Sequence, residues 1–166
     1  MRVLSGPGVL LEPQMAEHAP ELFAVLHDPR VYRYLDTEPP ADEARLRARL
    51  VRLEARRSPD GAETWFNWIV RNPAGVLVGY VQATVASDHS ADIGYVLGAA
   101  HWRRGYGRAA VATMLDELQT GYGVTRLRAT LERDNQASRR LLERLGFAAG
   151  VDAPGTSELQ FVRSMP

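Results

Sequence analysis

Among its 166 residues the chain has no cysteine and no lysine. The missing cysteine excludes disulfide staples, thiolate metal sites and a Cys nucleophile. The missing lysine excludes Schiff-base chemistry and a phosphate loop of the Gly-Lys-Ser/Thr kind. No apolar run approaches the roughly 20 residues that a membrane helix needs. The first eight residues, Met1 to Gly8, carry one charged side chain and no apolar stretch, so they do not read as a signal peptide, and the expected compartment is the cytoplasm. Neither sign of charge prevails. Twenty arginines face 20 acidic residues, so no global field marks a nucleic acid or a membrane as a partner. His18, His27, His89 and His101 show no ligand spacing, and no metal is expected.

What is present is a globular composition. Apolar residues make up 45% of the chain, enough for a sizeable core in one domain spanning residues 1–166. Val9 to Leu11 reads as a short strand. Met15, Ala19, Leu22, Phe23 and Leu26 fall at helical spacing, and Asp28-Pro29 ends that helix. Val31 to Leu35 reads as a helical turn. Asp42 to Arg57 reads as a helix with Leu46, Leu50 and Leu53 on one face, opposite a stripe of Arg45, Arg49, Arg52 and Arg56. Three strands come next, Trp65–Arg71, Val76–Ala86 with Gly79 as a candidate bulge, and Ala91–Leu97. The pattern then alternates: a helix over Gly105–Gln119, a strand over Val124–Glu132, a helix over Gln136–Leu145 closed by Gly146, a turn at Asp152 to Gly155 and a last strand over Ser157–Arg163. Such an order predicts an α/β domain with a mixed sheet.

The chemistry concentrates in the loop between the third of these strands and the following helix, Trp102-Arg103-Arg104-Gly105-Tyr106-Gly107-Arg108-Ala109. Two glycines two apart let backbone approach a ligand closely. The first N–H groups of the helix lack internal partners, and the helix dipole is positive there. Together these make an anion site suited to a pyrophosphate, with Arg103, Arg104 and Arg108 beside it. The same glycines satisfy Gly-x-Gly-x-x-Gly/Ala of dinucleotide folds, but the strand ends several residues too early and the strands upstream read as antiparallel. Downstream, Asn135-x-x-Ser138-x-x-Leu-Leu-x-x-Leu-Gly146-Phe147 places Asn135 as a candidate N-cap and Ser138 about one turn later.

With both halves in view the chain resembles the GNAT superfamily of N-acetyltransferases, and within it the RimJ/RimL-type branch that acetylates N-termini of ribosomal proteins. The likeness runs from Leu22-Phe-Ala-Val-Leu-His-Asp-Pro-Arg30 through Gly79-Tyr80, Ala91–Leu97 and Trp102–Ala109 to Leu145-Gly-Phe147. Trp102 stands where the family's signature Gln/Arg-x-x-Gly-x-Gly/Ala begins. The resemblance implies a mixed, mostly antiparallel sheet flanked by helices, with a splay between its two central strands. It implies that amides of Arg103, Arg104, Gly105, Tyr106, Gly107 and Arg108 cradle the pyrophosphate of acetyl-CoA. Backbone of Val96 and Leu97 would pair with the pantetheine arm. Asn135 would bond the cofactor or a bound water, and Ser138 would lie near the thioester sulfur.

The implied reaction is acetyl transfer to a primary amine, on a protein N-terminus or a small molecule, without an acyl-enzyme. A protonated amine cannot attack, so a base is required, usually through water. Asp92 and Glu132 are the candidate bases and His101 a third; Asp92 and Glu132 read more readily as solvated or capping groups, and His101 as a loop residue. Ser138 matches the branch's proposed acid and reads equally as an ordinary helix serine. A backbone N–H near Leu97 would steady the oxyanion. Tyr32, Tyr34 and Trp65 are candidates for the acceptor pocket. The expected partners are acetyl-CoA and an amine, with no nucleic acid and no membrane, in a monomer or homodimer. Two other classes stay open: a CoA-binding sensor without catalysis, and a nicotinamide-dependent oxidoreductase.

Overall fold

A computed structural model describes residues 1–150 and 157–165. Strands β1 (Leu4–Gly6) and β2 (Val9–Pro13) form a hairpin. Helix α1 (Ala19–Leu26) comes after a 3-10 turn at Ala16–His18, and a second such turn, Pro29–Tyr34, leads to α2 (Glu43–Leu53). Next come β3 (Glu63–Arg71), β4 (Leu77–Ala86) and β5 (Ser90–Leu97), then α3 (Tyr106–Tyr122), β6 (Arg126–Glu132), α4 (Gln136–Arg144), β7 (Ala148–Ala149) and β8 (Glu158–Ser164). The eight strands make one sheet in the order β1-β2-β3-β4-β5-β6-β8-β7. Every pairing is antiparallel except that of β5 with β6. The turn expected at residues 152–155 lies outside the described residues.

Alternation along the strands sorts side chains to two faces. One face, with Phe66, Trp68, Val81, Ile93, Leu127 and Phe161, packs on α3 and α4. On α3 the buried positions Ala110, Val111, Met114, Leu115 and Leu118 repeat at helical spacing, which fixes the face it turns inward. The other face carries Ile69, Leu77 and Val96 and is covered by α1 and α2 through Leu22, Leu26, Leu46 and Leu50. The sheet is therefore a partition with two pairs of helices on opposite sides.

Three expectations shift. The chain opens with a strand, β1, whose three residues carry no readable alternation ahead of Pro7-Gly8. Helix α2 stops at Leu53, not Arg57, because Arg56 takes a left-handed φ of 54° and its carbonyl accepts from the Trp65 amide. Ala148–Ala149 is a two-residue strand on β8, too short to leave a pattern. The bulge at Gly79 is present: the β3–β4 register slips beside it, and a Cβ there would run into the carbonyl oxygen of Val96.

Candidate active site

The parallel pairing of β5 with β6 lasts only three residues, Ser90 to Asp92 against Arg126 to Arg128. Beyond it β6 stays with β8, while β5 from Ile93 to Leu97 stays with β4. The central strands thus diverge, and the edge of β5 that faces the gap carries no strand among the described residues. Unpaired strand backbone is a ready template for an extended, amide-bearing ligand. Val96 and Leu97 lie at the end of that edge. The Val96 side chain is buried under α1 and α2, and the Leu97 side chain packs toward α3 and α4.

From Leu97 the chain passes through Ala99–His101 into the loop. Arg103 and Gly105 both take left-handed φ values, 60° and 85°, with Arg104 between them. Such alternation turns successive N–H groups toward one side and forms an anion-binding concavity. Left-handed backbone is costly for arginine and free for glycine, so Arg103 holds strain of the sort found at functional sites. The first bond inside α3 runs from the Ala109 N–H to the Gly105 carbonyl. The amides of Tyr106, Gly107 and Arg108 therefore have no partner within the helix. Arg103, Arg104 and Arg108 are exposed. Tyr106 packs its ring on the core and contributes only its backbone to the loop. At Gly107 a Cβ would sit 3.2 Å from Leu141 Cδ1 and 3.5 Å from Leu97 Cδ2. The start of α3 is thereby pressed between β5 and α4, which a side chain would pry apart.

Helix α4 closes the gap on the same face. Asn135 is its N-cap and accepts from the Ser138 N–H at 3.1 Å. The carbonyl of Ser138 accepts from the Tyr95 hydroxyl at 3.4 Å, a long bond that crosses the divergence from β5 to α4. Burial pushes the Tyr95 phenol up from its ordinary value, so it is a neutral donor at physiological pH. Tyr95 bears on the site and has no distinguishing mark in the sequence beyond a position of the inward alternation.

Asp92 and Glu132 occupy the opposite face. Asp92 takes Arg128 in a two-point ion pair at 2.9 and 2.7 Å, the side chains standing at the last paired register before the strands part. That carboxylate raises the Arg128 guanidinium above its usual value, through hydrogen bonding first and charge second. Glu132 lies four residues further along β6, about 13 Å at strand rise. It accepts from the Ser157 hydroxyl at 3.2 Å and shares a corner with Asp36 and Glu158, their oxygens within 4.8 Å of one another. Exposed carboxylates gather so without an ion, and the trio carries no metal assignment. The loop of residues 103–108, Leu97, Asn135 and Ser138 are thus brought together, whereas Asp92 and Glu132 stand across the sheet and apart. His101 lies in the 3-10 turn ahead of the loop, and its buried Nδ1 has no hydrogen-bond partner among the described residues. Trp65 lies on the face of α1 and α2, level with Thr84, Asp92 and Arg128.

Comparison with known proteins identifies the family and the fold. A family model described as an acetyltransferase (GNAT) domain matches residues 9–148. An uncharacterized N-acetyltransferase, p20 of Bacillus licheniformis, is 28% identical over 148 residues, covering 89% of this chain and 83% of that protein. Among solved structures, RimL, a ribosomal L7/L12 alpha-N-protein acetyltransferase in complex with coenzyme A, superposes with a TM-score of 0.83 at 15% identity, covering 98% of each chain. RimJ of Mycobacterium smegmatis in complex with a CoA disulfide gives 0.79 at 20% identity, covering 98% of this chain and 85% of that one. At these identities the structural likeness is one of fold.

Proposed function

We propose, since the chain belongs to the GNAT acetyltransferase family, that it moves an acetyl group from acetyl-CoA to a primary amine by direct attack. The observation that carries this reading is the divergence of β5 and β6 directly beside an anion-binding helix start. A strand edge for an amide-bearing arm and a cradle for its pyrophosphate lie end to end. Arg103 to Arg108 supply that cradle, largely through backbone, with the guanidinium groups of Arg103, Arg104 and Arg108 adding charge. Acetyl-CoA supplies the activated acyl group.

The chain's own part is placement and proton handling. Val96 and Leu97 offer backbone to the arm, and an N–H near Leu97 steadies the oxyanion. Asn135, by capping α4, fixes Ser138 beside the gap, where its hydroxyl serves a leaving thiolate. The amine arrives from the face of α1 and α2, where Asp92 and Glu132 are the groups able to take its proton through water. Of the two, Asp92 is nearer the point of divergence, where it is paired with Arg128. The acceptor is a peptide N-terminus or a small amine, and the setting is the cytoplasm. Among the described residues no helix is long and apolar enough to cross a membrane.

Release of free thiol from acetyl-CoA against amines and N-terminal peptides tests the reading. Turnover on at least one amine is expected. Tight acetyl-CoA binding with no turnover on any amine would leave a binding module in place of an enzyme.

A further inference from the structure

Between the last β5–β6 pair and the loop, the gap is built unequally on its two faces. On the face of α3 and α4, β5 presents Ile93, Tyr95 and Leu97, while β6 presents Ala129 and Leu131. On the face of α1 and α2 the middle of that stretch is Gly94, which has no side chain to reach toward β6. Gln82 of β4 lies over it instead, its Cγ 3.2 Å from where a Cβ would stand. At the level of Gly94 and Tyr95 the gap is thus walled on one face and bare on the other.

One side chain crosses the walled face. Tyr95 stands three residues past Asp92, about 10 Å at strand rise. Its hydroxyl donates to the Ser138 carbonyl at 3.4 Å, so the ring reaches from β5 to α4. The bond is long and adds little by itself. Packing holds the ring: Tyr95 is half-buried and lies against the main core. A phenol ring turns about only two side-chain torsions, so it keeps its place better than a flexible chain of equal reach. Toward the point of divergence β6 offers only the methyl group of Ala129. The ring is therefore the largest group at the inner end of the gap. In the acetyl-transfer reading the pyrophosphate lies at Arg103–Arg108, so the reactive end of the arm points inward along β5. The sulfur then stands beside Ser138, and the group it carries meets the ring that ends on Ser138's own carbonyl.

We propose that Tyr95 is the acyl stop of this site: its ring, spanning from β5 to α4, confines the transferred group to two carbons, while Gly94 leaves the opposite face open to the amine. The inference rests on the acetyl-transfer reading above and names the residue that selects its acyl donor. Tyr95 determines specificity and takes no part in making or breaking bonds. An acetyl methyl lies beside the ring, and each further methylene must enter the volume that the ring fills. Admitting one requires the ring to swing out or the strands to part further, and a packed interior resists both.

The test needs no acceptor. Titration calorimetry of the full chain compares acetyl-CoA, butyryl-CoA and free CoA. Butyryl carries two more methylenes than acetyl, so wild type is expected to bind acetyl-CoA at least about tenfold more tightly than butyryl-CoA. Tyr95→Leu keeps an apolar side chain on the core and withdraws the ring. It should bring that ratio to about threefold or less, through tighter butyryl-CoA binding, and leave the affinity for free CoA unchanged. Tyr95→Phe keeps the ring and should hold the ratio within about twofold of wild type. A ratio in Tyr95→Leu within about twofold of wild type, with free CoA still bound, overturns the role of Tyr95. Loss of the ratio in Tyr95→Phe as complete as in Tyr95→Leu assigns it to the hydroxyl and overturns the ring as the stop. Wild type that binds butyryl-CoA as tightly as acetyl-CoA overturns the inference by itself, whether or not Tyr95→Leu folds. Failure of wild type to bind acetyl-CoA overturns the transfer reading, and this inference with it.

Discussion

The indole N–H of Trp102 donates to the carbonyl oxygen of Leu97 at 2.7 Å. A short bond between the last residue of β5 and the first of the Trp102–Arg108 loop couples the strand edge to the start of α3. It spans the turn at Ala99–His101 and fixes how far the loop stands from the open strand edge. About half of the Trp102 surface remains exposed, 48%, so the ring is held by its nitrogen more than by burial. Trp102→Phe keeps an aromatic ring and deletes the donor. Loss of a net hydrogen bond of about 1 kcal/mol predicts acetyl-CoA binding weakened about fivefold. Titration calorimetry reads this directly, and unchanged affinity would show the loop held by other contacts.

Gly105 lies in open space, so only its backbone conformation resists a side chain. At φ 85° an alanine adds about 1–2 kcal/mol of strain. Gly105→Ala should lower the melting temperature by about 2–8 °C and weaken acetyl-CoA binding, as the cradle relaxes. Both effects are read in one thermal-shift series with and without acetyl-CoA. Gly107→Trp, pressed against Leu141 and Leu97, should abolish binding altogether.

Asn135 has a structural role that can be separated from a cofactor role. Asn135→Ala removes the cap of α4 and should cost about 1 kcal/mol of stability. Asn135→Asp retains the cap. If the side chain serves α4 alone, Asp restores both the melting temperature and the acetyl-CoA affinity; a contact with the cofactor predicts restored stability with weakened binding.

Acid should loosen α1 from the sheet. Arg71 of β3 bonds Glu12 and also Glu21 of α1. The Arg71 guanidinium holds the Glu21 carboxyl below its usual value, by hydrogen bonding first. A carboxyl lowered on folding contributes stability that is present above its unfolded value and is lost as pH falls toward its folded one. Melting curves from neutral pH down through the carboxyl range should therefore fall less steeply for Glu21→Gln than for wild type. Equal slopes would show the pair adds nothing.

Much of this site was legible because backbone chemistry leaves marks in sequence. Gly105 and Gly107 announce a close approach, Asn135-x-x-Ser138 announces a capped helix, and the switch from period two to helical spacing places both at strand-to-helix turns. Asp92 and Glu132 are readable in the sequence as carboxylates on β5 and β6. Their position across the sheet from Ser138 emerged only from strand pairing. Likewise Gln82 over Gly94, Arg128 on Asp92 and Tyr95 on Ser138 are contacts between residues 12 to 43 positions apart, set by register and carrying no local signal. The short elements, β1 and β7, escaped because three or two residues cannot display a period.

In the proposed reading the divergence after Asp92 and the loop at Arg103–Arg108 form one acetyl-CoA site. Titration calorimetry of the wild-type chain with acetyl-CoA, beside NAD, tests it most directly. Saturable binding of one acetyl-CoA per chain, lost in Gly107→Trp and absent with NAD, is the predicted result. No heat with acetyl-CoA, or binding of NAD in its place, would contradict it.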